Sequence, residues 1–212
     1  MDQRIFPDIN NFTGRFDAHQ VASAGALLVA VLATDGLNFT SPSYAHQVAA
    51  ARFAGLPVWH YHFARPELHP TGAGEMTAFW RAVRPHYRKG DRLVLDVERM
   101  HPGGARALAD YVRHLDWLLH EISGIHQVTY IPDSLFRQCG ARLQTLANEY
   151  WIASWGGHVA RLRAGRRMIA QQISNGQEGS EPFRYPGIGA CDTNRLQRWY
   201  TRRLLRERRR AA

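Results

Sequence analysis

Two acids, Asp96 and Glu98, stand two residues apart at the end of the aliphatic run Leu93-Val94-Leu95. A run of this kind reads as a strand buried on both faces. Alternate side chains of a strand share a face, so both carboxyls point the same way, with Cα atoms roughly 6.5 Å apart. Burying two like charges together is costly unless they meet an open cleft. Paired carboxyls at a cleft suit glycoside hydrolysis, in which one protonates the leaving oxygen while the other stabilises or attacks the sugar cation. The bland alternative is a structural cluster of acids held by arginines.

Other strand ends carry similar chemistry. Apolar runs at 4–9, 27–33, 56–63, 93–98, 127–131, 149–154, 167–173 and 189–192 read as eight strands. At their C-terminal ends lie Asp8, Asp35, Tyr61 and His62, Asp96 and Glu98, Tyr130, Trp155, Gln171 and Gln172, and Asp192. Helices are expected between them. Asp17 and Gln20 form a capping-box pattern for a short helix that Gly25 ends, and Pro42 opens one running through 45–54. Further helices are expected over 75–87 and 105–122, the second with Leu108, Tyr111, Val112, Leu115 and Leu119 at core spacing, and another starts at Pro132-Asp133. Residues 176–187 read as a loop, and Gly156 and Gly157 follow the sixth strand. The alternation predicts an α/β fold, an irregular TIM-like barrel of about eight strands and about five helices, with its site at the C-terminal strand ends.

The chain has 212 residues, a formal charge of +9 and a pI near 10.2. Its length suits one folded unit, expected as a barrel over 1–196 followed by a basic helix or tail over 197–212. The segment 202–210 holds six arginines and one acid. The excess charge implies an anionic partner, expected to be a wall or membrane surface met through this Arg-rich tail, although a solvated tail is the simpler reading. Acids at the strand ends would repel phosphates, so no specific nucleic-acid partner is expected. Cys139 and Cys191 lack metal-ligand spacing and read as buried thiols, with a disulfide between them as the alternative. The histidines are scattered without an H-E-x-x-H motif, so neither a metal nor a cofactor is expected. No signal-peptide pattern opens the chain, and a monomer is expected.

Five stretches taken in order resemble glycoside hydrolase family 25, the muramidase-type lysozymes common among phage endolysins. They are Phe6-Pro7-Asp8-Ile9-Asn10-Asn11-Phe12, Leu32-Ala33-Thr34-Asp35-Gly36, His60-Tyr61-His62-Phe63-Ala64-Arg65-Pro66, Leu95-Asp96-Val97-Glu98 and Gly189-Ala190-Cys191-Asp192-Thr193-Asn194. The third is nearly the family pattern. The second departs from it, with Leu32 in place of a lysine and Asp35 in place of a glutamate, and Ala170-Gln171-Gln172 stands where the family reads like W-Q-Y. The resemblance implies cleavage between N-acetylmuramic acid and N-acetylglucosamine of bacterial peptidoglycan. It makes Glu98 the general acid. Asp96 stabilises the sugar cation or orients the 2-acetamido group, while Asp8 and Asp192 support them. Tyr61, His62, Asp35, Tyr130, Trp155 and Gln171 are expected to bind substrate, although for His62 a hydrogen-bonded structural role is favoured over catalysis. The expected setting is a phage product made in the host cytoplasm that reaches the wall on release. The alternative is a virion or tail-associated lysozyme, or a catalytically weak tail component of the same fold.

Overall fold

The computed structural model describes residues 4–144, 148–155, 167–180 and 182–211. Eight strands close a barrel: β1 (Ile5–Ile9), β2 (Val29–Asp35), β4 (Val58–Phe63), β5 (Arg92–Asp96), β6 (Val128–Pro132), β7 (Glu149–Ala153), β8 (Met168–Ser174) and β11 (Asp192–Leu196). Neighbours from β1 through β8 run parallel. The eighth strand, β11, is antiparallel to both β8 and β1 and closes the ring. A two-residue strand, β3 (Phe39–Thr40), extends β2 as a hairpin, and β9 (Arg184–Tyr185) pairs with β10 (Gly189–Ala190).

The helices are α1 (Ala18–Ser23), α2 (Tyr44–Phe53), α3 (Ala73–Val83), α4 (Gly104–Ser123), α5 (Asp133–Cys139), α6 (Ala141–Gln144) and α7 (Arg198–Ala211). Asp17 caps α1 by accepting from the Gln20 amide. The longest helix, α4, buries Leu108, Tyr111, Val112, Leu115 and Leu119, and Gly124 ends it in a left-handed conformation.

Strand alternation sorts the side chains into two cores. Val29, Val31, Val58, Leu93, Leu95, Ile131 and Ile152 face outward under the helices. Phe6, Leu32, Trp59, Tyr61, Val94, Tyr130 and Trp151 face the barrel axis. The interior is filled by packed rings. Phe6 lies 5.3 Å from Trp59 and 5.5 Å from Trp151, while Trp151 lies 4.9 Å from Tyr130. This plug forms a floor at the C-terminal ends of the parallel strands. At the opposite pole Tyr200 of α7 seals the barrel, fully buried with its ring 6.0 Å from Trp59.

The expected last strand is displaced. Residues 189–191 form no barrel strand. Gly189–Ala190 belongs to the small ribbon, and the barrel strand begins at Asp192. A parallel return to the barrel would need a crossover of a dozen or more residues, usually helical. The chain instead turns back through the ribbon, and the strand re-enters antiparallel. The expected loop at 176–187 likewise contains β9. Gly156 and Gly157 lie outside the described residues.

Candidate active site

A cleft of about 410 Å³ opens at the mouth, lined by Asp8, Asp35, Tyr61, Asp96, Glu98, Tyr130, Trp151, Gln172 and Asp192, with Asn10, Phe12 and Phe39 at its rim. Asp96 is the last residue of β5 and is nearly buried. Glu98 lies two residues beyond the strand and is exposed in the cleft. Both line it together with Val94, so the shared face continues past the strand end. Asp192 reaches the mouth from the opposite chain direction. Because β11 is antiparallel, its N-terminal end is the one at the site, and Asp192 pairs directly with Asp8 across the β1–β11 ladder.

Each of these two acids is held by a side-chain amide. Asn194 Nδ2 donates to Asp8 Oδ2 at 2.7 Å, while its Oδ1 accepts from the Trp151 indole at 3.0 Å. Gln172 Nε2 donates to Asp192 Oδ2 at 3.1 Å, and its Oε1 accepts from the Tyr130 hydroxyl and the Trp155 indole, each at 2.9 Å. Asp96 differs: its Oδ1 is buried and has no hydrogen-bond partner among the described residues.

The electrostatics follow from crowding in a desolvated cleft. Burial raises the Asp96 carboxyl well above the usual range, and Glu98, Asp8 and Asp192 add to the rise. Asp8 is raised by burial and by Asp192, against the pull of Asn194 and Gln172. Glu98 is raised by burial and eased by Tyr130 and Arg99. Asp192 is pushed up to about 6 by burial and by Glu98, with Gln172 opposing. Buried carboxyls that raise one another share their protons as a group. The cluster therefore holds protons more tightly than isolated carboxyls would.

The remaining expected residues divide. Tyr61, Tyr130 and Asp35 line the cleft. Arg65 grips Asp35 with two hydrogen bonds, Nε at 2.6 Å and Nη2 at 2.7 Å, and its guanidinium lies 4.5 Å from the Phe63 ring. Gly36 leaves room for that arm, since a Cβ there would sit 3.0 Å from Arg65 Cγ. Trp155 stands beside the cleft and touches it through Gln172. Two positions need correction. His62 shares the outward face of β4 with His60, fully buried, its Nδ1 2.8 Å from Thr34 Oγ1 and its Nε2 2.7 Å from Glu75 Oε2. It holds α3 to the sheet and does not face the cleft. Gln171 also points away, donating to the Ser154 carbonyl at 2.7 Å, and Gln172 takes the cleft position. Sequence reasoning did not single out Asn194 and Trp151. A polar residue two places after Asp192 on the same strand face was the available signal for Asn194. Among the described residues no group of three or more His, Cys, Asp or Glu side chains could hold a metal ion.

A closed α/β barrel with clustered, proton-sharing carboxyls at its mouth defines a protein of the glycoside hydrolase class. Residues 7–178 match the model of glycosyl hydrolases family 25, and the chain belongs to that family. The match takes in Asp8, Asp96 and Glu98, whereas Asp192 lies beyond it. A curated relative, lysozyme M1 of Streptomyces globisporus, is 24% identical over 169 residues. That alignment covers 74% of this chain and 57% of the relative, so the chain spans little more than half of that protein. Among solved structures, the lysozyme of Streptomyces coelicolor superposes with a TM-score of 0.78 at 20% identity, covering 94% of each chain. The catalytic domain of endolysin ply40 from bacteriophage P40 of Listeria monocytogenes gives 0.69 at 15% identity, covering 94% of this chain and 96% of its own. Both likenesses are of fold.

Proposed function

We propose that the protein is a peptidoglycan muramidase, hydrolysing the β-1,4 bond between N-acetylmuramic acid and N-acetylglucosamine. The observation that carries this reading is the inequality among the four carboxyls. Asp8 and Asp192 are tied to amides, Asp96 keeps an oxygen without a partner among the described residues, and Glu98 projects into open cleft.

In this reading the Asp96–Glu98 pair shares the catalytic proton. Glu98, at the cleft surface, delivers it to the glycosidic oxygen as the C1–O bond breaks. Asp96 then faces the sugar cation with its free oxygen, directly or through the substrate's 2-acetamido group. Water adds at C1, and its proton returns to Glu98. Asp8 and Asp192 keep the pair's affinity for its proton high. Tyr61 and Tyr130 offer ring surface to the sugars, and Asp35, neutralised by Arg65, offers hydrogen bonds at the rim. The substrate is bacterial cell wall, reached by a phage lysis enzyme on release from the host cytoplasm. The fold-level likeness to a phage endolysin domain supports that setting, and detection of the protein in purified virions would replace it with a virion lysozyme. Mass spectrometry of borohydride-reduced digests of purified peptidoglycan tests the bond assignment.

A further inference from the structure

Helix α7 carries charge that the cleft does not use. Arg198, Arg202, Arg206 and Arg209 are exposed, and at about 100° per residue they fall within an arc of about 80°. The opposite face is buried: Tyr200 and Thr201 are inside, and Leu204 packs on the barrel interior. The acids nearby are already taken. Arg203 binds Glu149 at 3.3 Å and Glu207 at 2.9 Å, and Arg92 binds Glu149 at 3.0 Å. None of the four stripe arginines has an ion pair among the described residues. Contacts with Arg92 and Glu149, at the starts of β5 and β7, lay the helix across the base of the barrel. The base is therefore cationic and the mouth, at the opposite pole, is acidic.

We propose that the outer face of α7 docks on an anionic lipid bilayer, with the cleft turned away from the membrane. The stripe is the convex side of a helix lying across the barrel's end, a shape that meets a plane of phosphates. A threadlike polyanion would be gripped better in a groove. Guanidinium groups match phosphate oxygens in paired hydrogen bonds, and Trp199, half-buried beside the stripe, suits the headgroup layer. Docking by the base would hold the acidic mouth away from the like-charged surface and toward material outside it.

The test is co-sedimentation of the full chain with vesicles of phosphatidylglycerol and phosphatidylcholine, or of phosphatidylcholine alone, across a salt series. Binding to the anionic vesicles is expected, weakening as salt rises. The quadruple variant Arg198→Gln/Arg202→Gln/Arg206→Gln/Arg209→Gln should bind about 100-fold more weakly, since each basic residue multiplies partition several-fold. A control with the same charge change on α3, α4 and their edge, Arg81→Gln/Arg84→Gln/Arg106→Gln/Arg113→Gln, should bind like the parent. If the quadruple variant misfolds by circular dichroism, the pair Arg202→Gln/Arg206→Gln serves, with a loss of about 10-fold. Hydrogen exchange on vesicles should show protection over 198–211 and none over 10–13 or 35–39. No preference for anionic vesicles, equal losses in stripe and control variants, protection at the cleft loops, or tighter binding to soluble poly(glycerol phosphate) than to vesicles would each overturn the proposal. No arm depends on glycan hydrolysis, so this result stands apart from the muramidase reading.

Discussion

Asp8 and Asp192 face each other as direct partners across the β1–β11 ladder. Like charges in that relationship destabilise a sheet. Here the pair sits at the mouth with each carboxyl held by an amide, from Asn194 and from Gln172. Asp192 ionises near 6, above its ordinary value of 3.8. A carboxyl raised in the folded state favours folding at low pH, and that contribution is lost as pH rises through about 6. Asp192→Asn should therefore raise Tm at pH 7, by about 2–4 °C per kcal/mol relieved, and leave it little changed near pH 4. Calorimetry at the two pH values measures it, and an equal Tm at pH 7 would contradict the shift.

The same neighbours set the pH–rate profile. Asp8 and Asp192 both raise Asp96, which the proposed mechanism pairs with Glu98 in holding the proton. Removing either negative charge lets that proton leave at lower pH. The basic limb of kcat/KM for Asp8→Asn or Asp192→Asn should move down in pH relative to the parent enzyme. An unmoved limb would separate these acids from the proton's affinity.

Glu98→Gln should lose at least about 100-fold in kcat, the usual worth of a positioned general acid, and Asp96→Asn a comparable factor. Both variants should fold, because each removes one charge from a crowded set. Steady-state turnover of wall fragments with parallel thermal melts reads both outcomes. Near-normal turnover of Glu98→Gln would reassign the acid.

His62→Ala should fail in stability and not in chemistry. It strips a partner from Thr34 Oγ1 and another from Glu75, leaving Oε2 only the Arg65 amide beside an Oε1 that has no partner among the described residues. A loss of about 2–5 kcal/mol is expected from buried polar groups left unpaired. Denaturant melts should show it, while KM measured well below the melting temperature stays within about twofold, as for a residue outside the cleft. A large KM change with intact stability would return His62 to the site.

Parity explains both what the sequence revealed and what it hid. Alternation along β4 and β5 placed Tyr61, Asp96 and Glu98 on one face, and all three line the cleft. Applied to β4 throughout, it also separates His62 from Tyr61 and pairs it with His60. On β8 it allows only one of Gln171 and Gln172 to face inward, and the apolar pattern does not say which. Asp192 was legible as a site residue while its strand was not. Direction depends on the connection through 175–191, whose turns follow glycines in the left-handed region at Gly176, Gly179, Gly187 and Gly189. The sealing of the barrel by Tyr200 was also hidden, because helical spacing shows which face is apolar but not what it covers.

The most direct test of the central claim is the identity of the new reducing end. Purified peptidoglycan digested by the protein, reduced with borohydride and resolved by mass spectrometry should yield muropeptides ending in reduced N-acetylmuramic acid, and Glu98→Gln should abolish them. New reduced N-acetylglucosamine ends, or released stem peptides with intact glycan, would contradict the muramidase assignment.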